Sequence, residues 1–294
     1  MIVDQEVVGS SPTSRPSLTS MSKGQIPPST TLYKEVYGSG PPMLCLHGLG
    51  ACIYSWRNFI VPFSQNRQLI LVDFRGCGKS PKPRSAHYSI QEKVDDIYNF
   101  IVEENLENLT LVGNSLGGAI ALMLALRFSE EQSNRLSKLV LIDSAGDKRY
   151  LPSHLKLIRS VLGAPIIHGS PSKLAAKLTL KACYYDKSKI TKEQIETYAK
   201  PLSSGDGRYA LLQTARHCIP ANADELIAKL PTIKLPTLIL WGRQDKVIPL
   251  RVGELIHAGL PNSTLEVIEE CGHVPQEEKP QETIGIINRF LSAN

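Results

Sequence analysis

Three short segments carry residues whose types and order could perform nucleophilic chemistry. In "LTLVGNSLGGAIA" (109–121) Ser115 stands between Gly113 and Gly117. "LILWGRQDKVIP" supplies Asp245, 130 residues later, and "EVIEECGHVP" supplies His273 a further 28 residues on. A serine hydroxyl attacks a carbonyl only when a base takes its proton, and the base needs a carboxylate to orient it. Gly-x-Ser-x-Gly fits a sharp turn from strand to helix, with the glycines relieving crowding around a strained nucleophile. The N-terminus of the following helix then offers N–H groups to a developing oxyanion.

Two phosphate-binding readings compete and fail. "RGCGKSPKP" (75–83) ends like a P-loop, but the first glycine of that pattern would fall at Asp73, and Pro81 and Pro83 obstruct a helix after Ser80. This segment reads better as a tight turn braced by Asp73. A dinucleotide fingerprint starting at Gly113 would need glycine where Ser115 stands.

The elements needed to position the three residues are legible as apolar runs. Strands are expected at 31–40, 41–48, 67–76, 109–113, 138–143, 236–241 and 263–269. A helix starts at Ser89, where Ser89 and Glu92 form a capping box and Ile90, Val94, Ile97 and Ile101 repeat at helical spacing. Further helices are expected at 115–128, near 249–258 and from Pro280 to Leu291. Strands that are continuous apolar runs, alternating with helices, indicate an α/β fold with a doubly wound, mostly parallel sheet. Asp245 and His273 each follow a strand, so both reach the carboxyl edge that carries Ser115.

The rhythm breaks over 147–225, which is helical, interrupted by prolines, and free of clear strands. It is expected to be a cap (lid) inserted into a core made of 31–146 and 226–294. The insert carries 13 Lys/Arg and 7 Asp/Glu, a balance of +6 against −1 for the remainder. Lys173, Lys177 and Lys181 recur every four residues beside Leu174, Leu178, Ala182 and Tyr185. The plain expectation is a solvated lysine face with the apolar side on the lid core. Weak contact with anionic lipid is the sharper alternative.

The bulk of the chain sets further bounds. Its 294 residues, 42% hydrophobic and 21% charged, suit one large domain with an insertion. Residues 1–30 are rich in Ser, Thr and Pro and are expected to form a disordered tail; they lack the continuous apolar core of a secretory signal. No apolar run is long enough for a membrane helix. Six scattered cysteines without a C-x-x-C pair suit reduced thiols in a cytoplasmic setting and no zinc site. No nucleic-acid module is present. The expectation is a monomer or homodimer with no metal and no cofactor.

Taken together, "LHGLG" (46–50), "DFRGCGKS" (73–80), "GNSLGG" (113–118), "WGRQDKVIP" (241–249) and "GHVPQEEKP" (272–280) resemble the α/β-hydrolase superfamily, in its order, over about residues 31 to 294. The resemblance implies an eight-stranded-type sheet with a helical cap inserted after the sixth strand. It implies Ser115 as nucleophile, His273 as base and Asp245 as acid. The oxyanion hole would be the backbone N–H of Leu116 with that of Leu49, Gly50 being the second choice. Asp143 occupies a position where some relatives carry the acid, and His47 reads as a structural histidine beside the oxyanion loop. The implied activity is cleavage of a small or medium carboxylic ester through an acyl-enzyme. The alternatives are C–C-bond hydrolysis of ring-cleavage products and a small-molecule receptor on the same fold. The former is weakened because Ala51-Cys52 follows "HGLG" where those relatives carry Pro-Gly.

Overall fold

A computed structural model describes residues 31–293, without the side chain of His154. The expected N-terminal tail, 1–30, lies outside the described residues. Seven strands form one sheet: β1 (Lys34–Tyr37), β2 (Pro42–Leu46), β3 (Gln68–Val72), β4 (Leu109–Asn114), β5 (Leu136–Ile142), β6 (Thr237–Gly242) and β7 (Ser263–Ile268). Their spatial order is β1-β3-β2-β4-β5-β6-β7. β1 runs antiparallel to β3, and all other neighbours are parallel.

Every strand expected from an apolar run is present. Seven strands lie among the described residues, and the helical insertion follows the fifth of them. The eighth strand rested on resemblance alone, with no apolar run behind it.

Helices α1 (Ile60–Ser64), α2 (Ile90–Glu103) and α3 (Leu116–Glu130) precede β5. Between β5 and β6 lie α4 (Ser153–Arg159), α5 (Gly163–Gly169), α6 (Ser172–Cys183), α7 (Lys192–Ala199), α8 (Gly205–His217) and α9 (Ala223–Lys229). Helices α10 (Leu250–Gly259), α11 (Pro275–Glu278) and α12 (Pro280–Ser292) follow β6. The insertion boundary expected at 225 therefore falls inside α9.

Alternation along the central strands builds two apolar layers. Leu44 and Leu46 of β2 pack with Val94 and Ile97 of α2 and with Leu122 of α3. Met43 and Cys45 face the other way, toward Trp56, Phe59 and Phe63, with Ile284 and Ile287 of α12. The edge strand β7 shows the weaker, alternating burial of a sheet margin. At the start of α2 the Ser89 hydroxyl accepts from the Glu92 N–H, and the Glu92 carboxylate accepts from the Ser89 N–H, closing the expected capping box.

One expectation about the insertion is overturned. Leu174 and Leu178 of α6 do not face a lid core; they are 50% and 58% exposed. The buried positions are Ala176 and Leu180, so a smaller pair at the same spacing takes the inside.

Two adjacent carboxylates hold the insertion to the core. Glu277 accepts hydrogen bonds from Ser55 (3.0 Å) and Arg57 (2.7 Å) on the core side. On the insertion side it accepts from Tyr198 (2.7 Å) and Gln194 (3.2 Å). Glu278 accepts the backbone N–H groups of Tyr185, Asp186 and Gly272. Burying a carboxylate is tolerable only when its lone pairs are this well occupied, and removing it strands the partners. Glu277→Ala should therefore lower stability by about 3 kcal/mol, read as a lower urea midpoint at unchanged slope.

Candidate active site

The sheet order explains why the chemistry-bearing segments converge. From β2 the chain moves to β3 on one side and then to β4 on the other. The loops leaving β2 and β4 thus flank a topological switch point at the carboxyl edge, where open α/β sheets form crevices. "HGLG" leaves β2 there, and Ser115 follows β4.

The turn at Ser115 is as strained as its sequence suggests. Its backbone lies at φ 56°, ψ −117°, a region that L-residues with side chains avoid. Surrounding bonds hold it there: its N–H donates to Ile142 (3.0 Å), and its carbonyl accepts from Gly118 and Ala145 (3.0 Å each) and Ala119 (3.2 Å). A Cβ on Gly117 would come within 2.1 Å of the Leu46 carbonyl oxygen. A Cβ on Gly113 would come within 2.3 Å of the Gly117 oxygen. Glycine is needed at 117 because α3 starts pressed against the end of β2, and at 113 because α3 starts equally close to β4.

Beyond β6 and β7 the other two residues meet. His273 Nδ1 lies 2.7 Å from Asp245 Oδ2, and both residues are buried. The second Asp245 oxygen accepts the N–H groups of Val247 (2.7 Å) and Ile248 (3.0 Å). With Nδ1 donating to the carboxylate, Nε2 is left free to accept a proton. His273 and Ser115 line the same cavity, and Ser115 Oγ makes no hydrogen bond among the described residues.

Asp143 adds a third buried acid-base group. It follows β5 directly at φ 42°, fully buried, with Oδ1 accepting the Gly242 N–H at 3.0 Å. Ligating atoms of Asp143, Asp245 and His273 lie within 4.8 Å of one another. Burial, and then the charge of Asp245, push the Asp143 carboxyl well above the usual carboxylate range. Asp143 is thus held neutral, and Asp245 is the carboxylate in contact with His273. A tetrahedral cation would hold its N and O ligands about 3.4 Å apart, farther than the 2.7 Å between His273 and Asp245.

Supporting groups complete the floor. Asn114 donates to the carbonyls of Ile142 (3.1 Å) and His273 (3.2 Å), linking β4 directly to the histidine loop. No sequence signal beyond its place beside Ser115 points to that role. His47 is buried between Phe74, whose N–H reaches Nε2 (3.2 Å), and the Gly48 carbonyl, 2.8 Å from Nδ1. Burial lowers its pKa, so it stays neutral, with the proton on Nδ1. Asp73 accepts the N–H groups of Ile53 and Lys79, bracing the glycine turn as expected. The N–H groups of Leu49 and Leu116 have no acceptor among the described residues, and both residues line the cavity with Ser115.

That cavity, about 190 Å³, runs between α3 and the insertion. Leu116, Ala119, Met123 and Leu126 form its α3 wall, with Leu155, Ile219 and Ile227 opposite. Among the described residues its one lining Lys or Arg, Lys148, is half exposed and paired with Asp224. His217 is not part of the lining. No helix of the described residues is long and apolar enough to cross a membrane.

Known proteins are similar to this chain in sequence and fold. A 2-hydroxy-6-oxo-2,4-heptadienoate hydrolase of Pseudomonas putida is 29% identical over 87% of this chain and 91% of its own. The solved structure of a meta-cleavage product hydrolase from Pseudomonas fluorescens superposes with a TM-score of 0.76, covering 90% of this chain and 95% of that one; at 24% identity it speaks to the fold alone. A bacterial membrane phospholipase A superposes at 0.69 with 27% identity, over 88% of this chain and 82% of its own. The family model for the alpha/beta hydrolase fold matches residues 41–280. With that match over most of its length, the chain belongs to the alpha/beta hydrolase fold family and is a hydrolase.

Proposed function

We propose that the protein cleaves carboxylic esters of apolar acyl chains through a Ser115 acyl-enzyme, with the helical insertion serving as a cap over the site. His273 takes the Ser115 proton as Oγ attacks the carbonyl, and Asp245 stabilises the imidazolium that forms. The N–H groups of Leu116 and Leu49 receive the oxyanion. The alcohol leaves with the proton from His273, and water activated by the same histidine releases the acid.

The observation that carries the choice of substrate is the apolar cavity. A dienoate brings a carboxylate, and burying it needs a cation or several donors. Beyond Ser115 and His273, the lining's charged or hydroxyl side-chain donors are Lys148, already paired at the surface, Thr179, whose hydroxyl donates to the Ala175 carbonyl, and Tyr150. An alkyl chain needs neither. The wall from Leu116 to Leu126 spans about 15 Å of helix. A chain advancing about 1.3 Å per carbon, from a C–C bond of about 1.5 Å, would fill it with ten to twelve carbons. C–C hydrolysis is the second reading, supported by the name of the Pseudomonas putida relative.

An ester series separates them. With p-nitrophenyl esters, kcat/KM should rise about fourfold per methylene, from about 0.8 kcal/mol per buried CH₂, until the cavity is full. Leu126→Trp, at the far end, should move the optimum to shorter chains. A 2-hydroxy-6-oxodienoate turned over faster than every ester would select the second reading.

The two aspartates are distinguished by amide substitution. Asp245→Asn should cost about 10⁴-fold in kcat, because it reverses the hydrogen bond that sets the histidine tautomer. Asp143→Asn replaces one neutral group with another and should stay within tenfold of the parent. The opposite ranking would make Asp143 the catalytic acid.

A further inference from the structure

Helix α6 presents four different surfaces around its circumference. At about 100° per residue, Lys173, Lys177 and Lys181 share one exposed stripe, and Leu174, Leu178 and Ala182 share the next. Thr179 and Cys183 follow, and they line the cavity that contains Ser115. Ala176 and Leu180, buried, close the circle. An exposed leucine stripe therefore lies between a cationic stripe and the wall of the reaction cavity.

The charge of this face is not internally cancelled. Lys173 pairs with Glu196 of α7, whereas Lys177 and Lys181 have no ion pair among the described residues. The whole insertion, 147–225, carries the +6 balance noted above. The α4–α5 turn of the same insertion exposes Val161 and Leu162 at 88% and 56%. Apolar side chains flanked by unpaired lysines match an interface whose outer layer is anionic and whose interior is hydrocarbon. A second copy of the chain would bring the same positive insertion to the contact, so charge complementarity favours lipid.

We propose that this face of α6 docks the protein on an anionic lipid bilayer, with Leu174 and Leu178 in the acyl boundary and Lys177 and Lys181 among the headgroups. The cavity wall formed by Thr179 and Cys183 then adjoins the lipid. Docking is a property of the surface and is measured without turnover, so it stands or falls separately from the esterase reading.

The test is co-sedimentation of the full chain with vesicles of phosphatidylcholine alone and of equal parts phosphatidylcholine and phosphatidylserine. Partitioning onto the mixed vesicles should exceed that onto phosphatidylcholine and weaken with salt. Lys177→Ala/Lys181→Ala should lower it roughly fivefold per lysine, and Leu174→Ser/Leu178→Ser should lower it further. Both variants should keep the parent's thermal midpoint and its hydrolysis of a short soluble ester. Equal recovery on the two vesicle types, or variants that bind like the parent, would overturn the proposal. So would light scattering that shows a dimer split by Leu174→Ser/Leu178→Ser, which would assign the face to self-association.

Discussion

The arrangement depends on one close approach, that of α3 to the end of β2. Gly117 lies so near the Leu46 carbonyl that no side chain fits between them. That contact forces the turn at Ser115 into its left-handed shape and fixes where the hydroxyl emerges. It also brings the loop after β2 beside the start of α3, so Leu49 and Leu116 share a cavity with the serine. The strain is offset by the bonds that Ile142, Gly118, Ala119 and Ala145 make to the Ser115 backbone. Sheet and elbow are therefore one mechanical unit.

The residues on the far side of the site depend on that unit through Asn114. Its amide bonds the carbonyls of Ile142 and His273, so the strand that delivers the serine also positions the histidine loop. Asp143 closes the same ring, accepting the Gly242 N–H beside Asp245. Burial holds Asp143 neutral, and Asp245 is the carboxylate that faces His273.

How much of this was legible in the sequence follows from the range of each interaction. The strands were legible because buried parallel strands are unbroken apolar runs, and α2 because its capping box is local. Ser115, Asp245 and His273 were legible because each occupies a turn beyond a strand on one edge, and the structure places His273 against Asp245 with Ser115 lining the same cavity. The roles of Asn114, Glu277 and Glu278 were not. Their partners lie 28 to 222 residues away or, for Gly272, across a loop, and nothing local marks them. The orientation of α6 was misread for a related reason: Leu174/Leu178 and Ala176/Leu180 have the same spacing, and only the packing partner decides which pair is buried. The eighth strand implied by the resemblance has no apolar run behind it within the described residues.

The central claim is that the strained serine is a nucleophile activated by His273. Labelling with a fluorophosphonate, followed by peptide mass spectrometry, tests it most directly. The account predicts one adduct, on Ser115, formed rapidly by the parent protein and slowed by orders of magnitude in His273→Ala. Ester turnover that survives without an adduct on Ser115, or an adduct whose rate ignores His273, would contradict it.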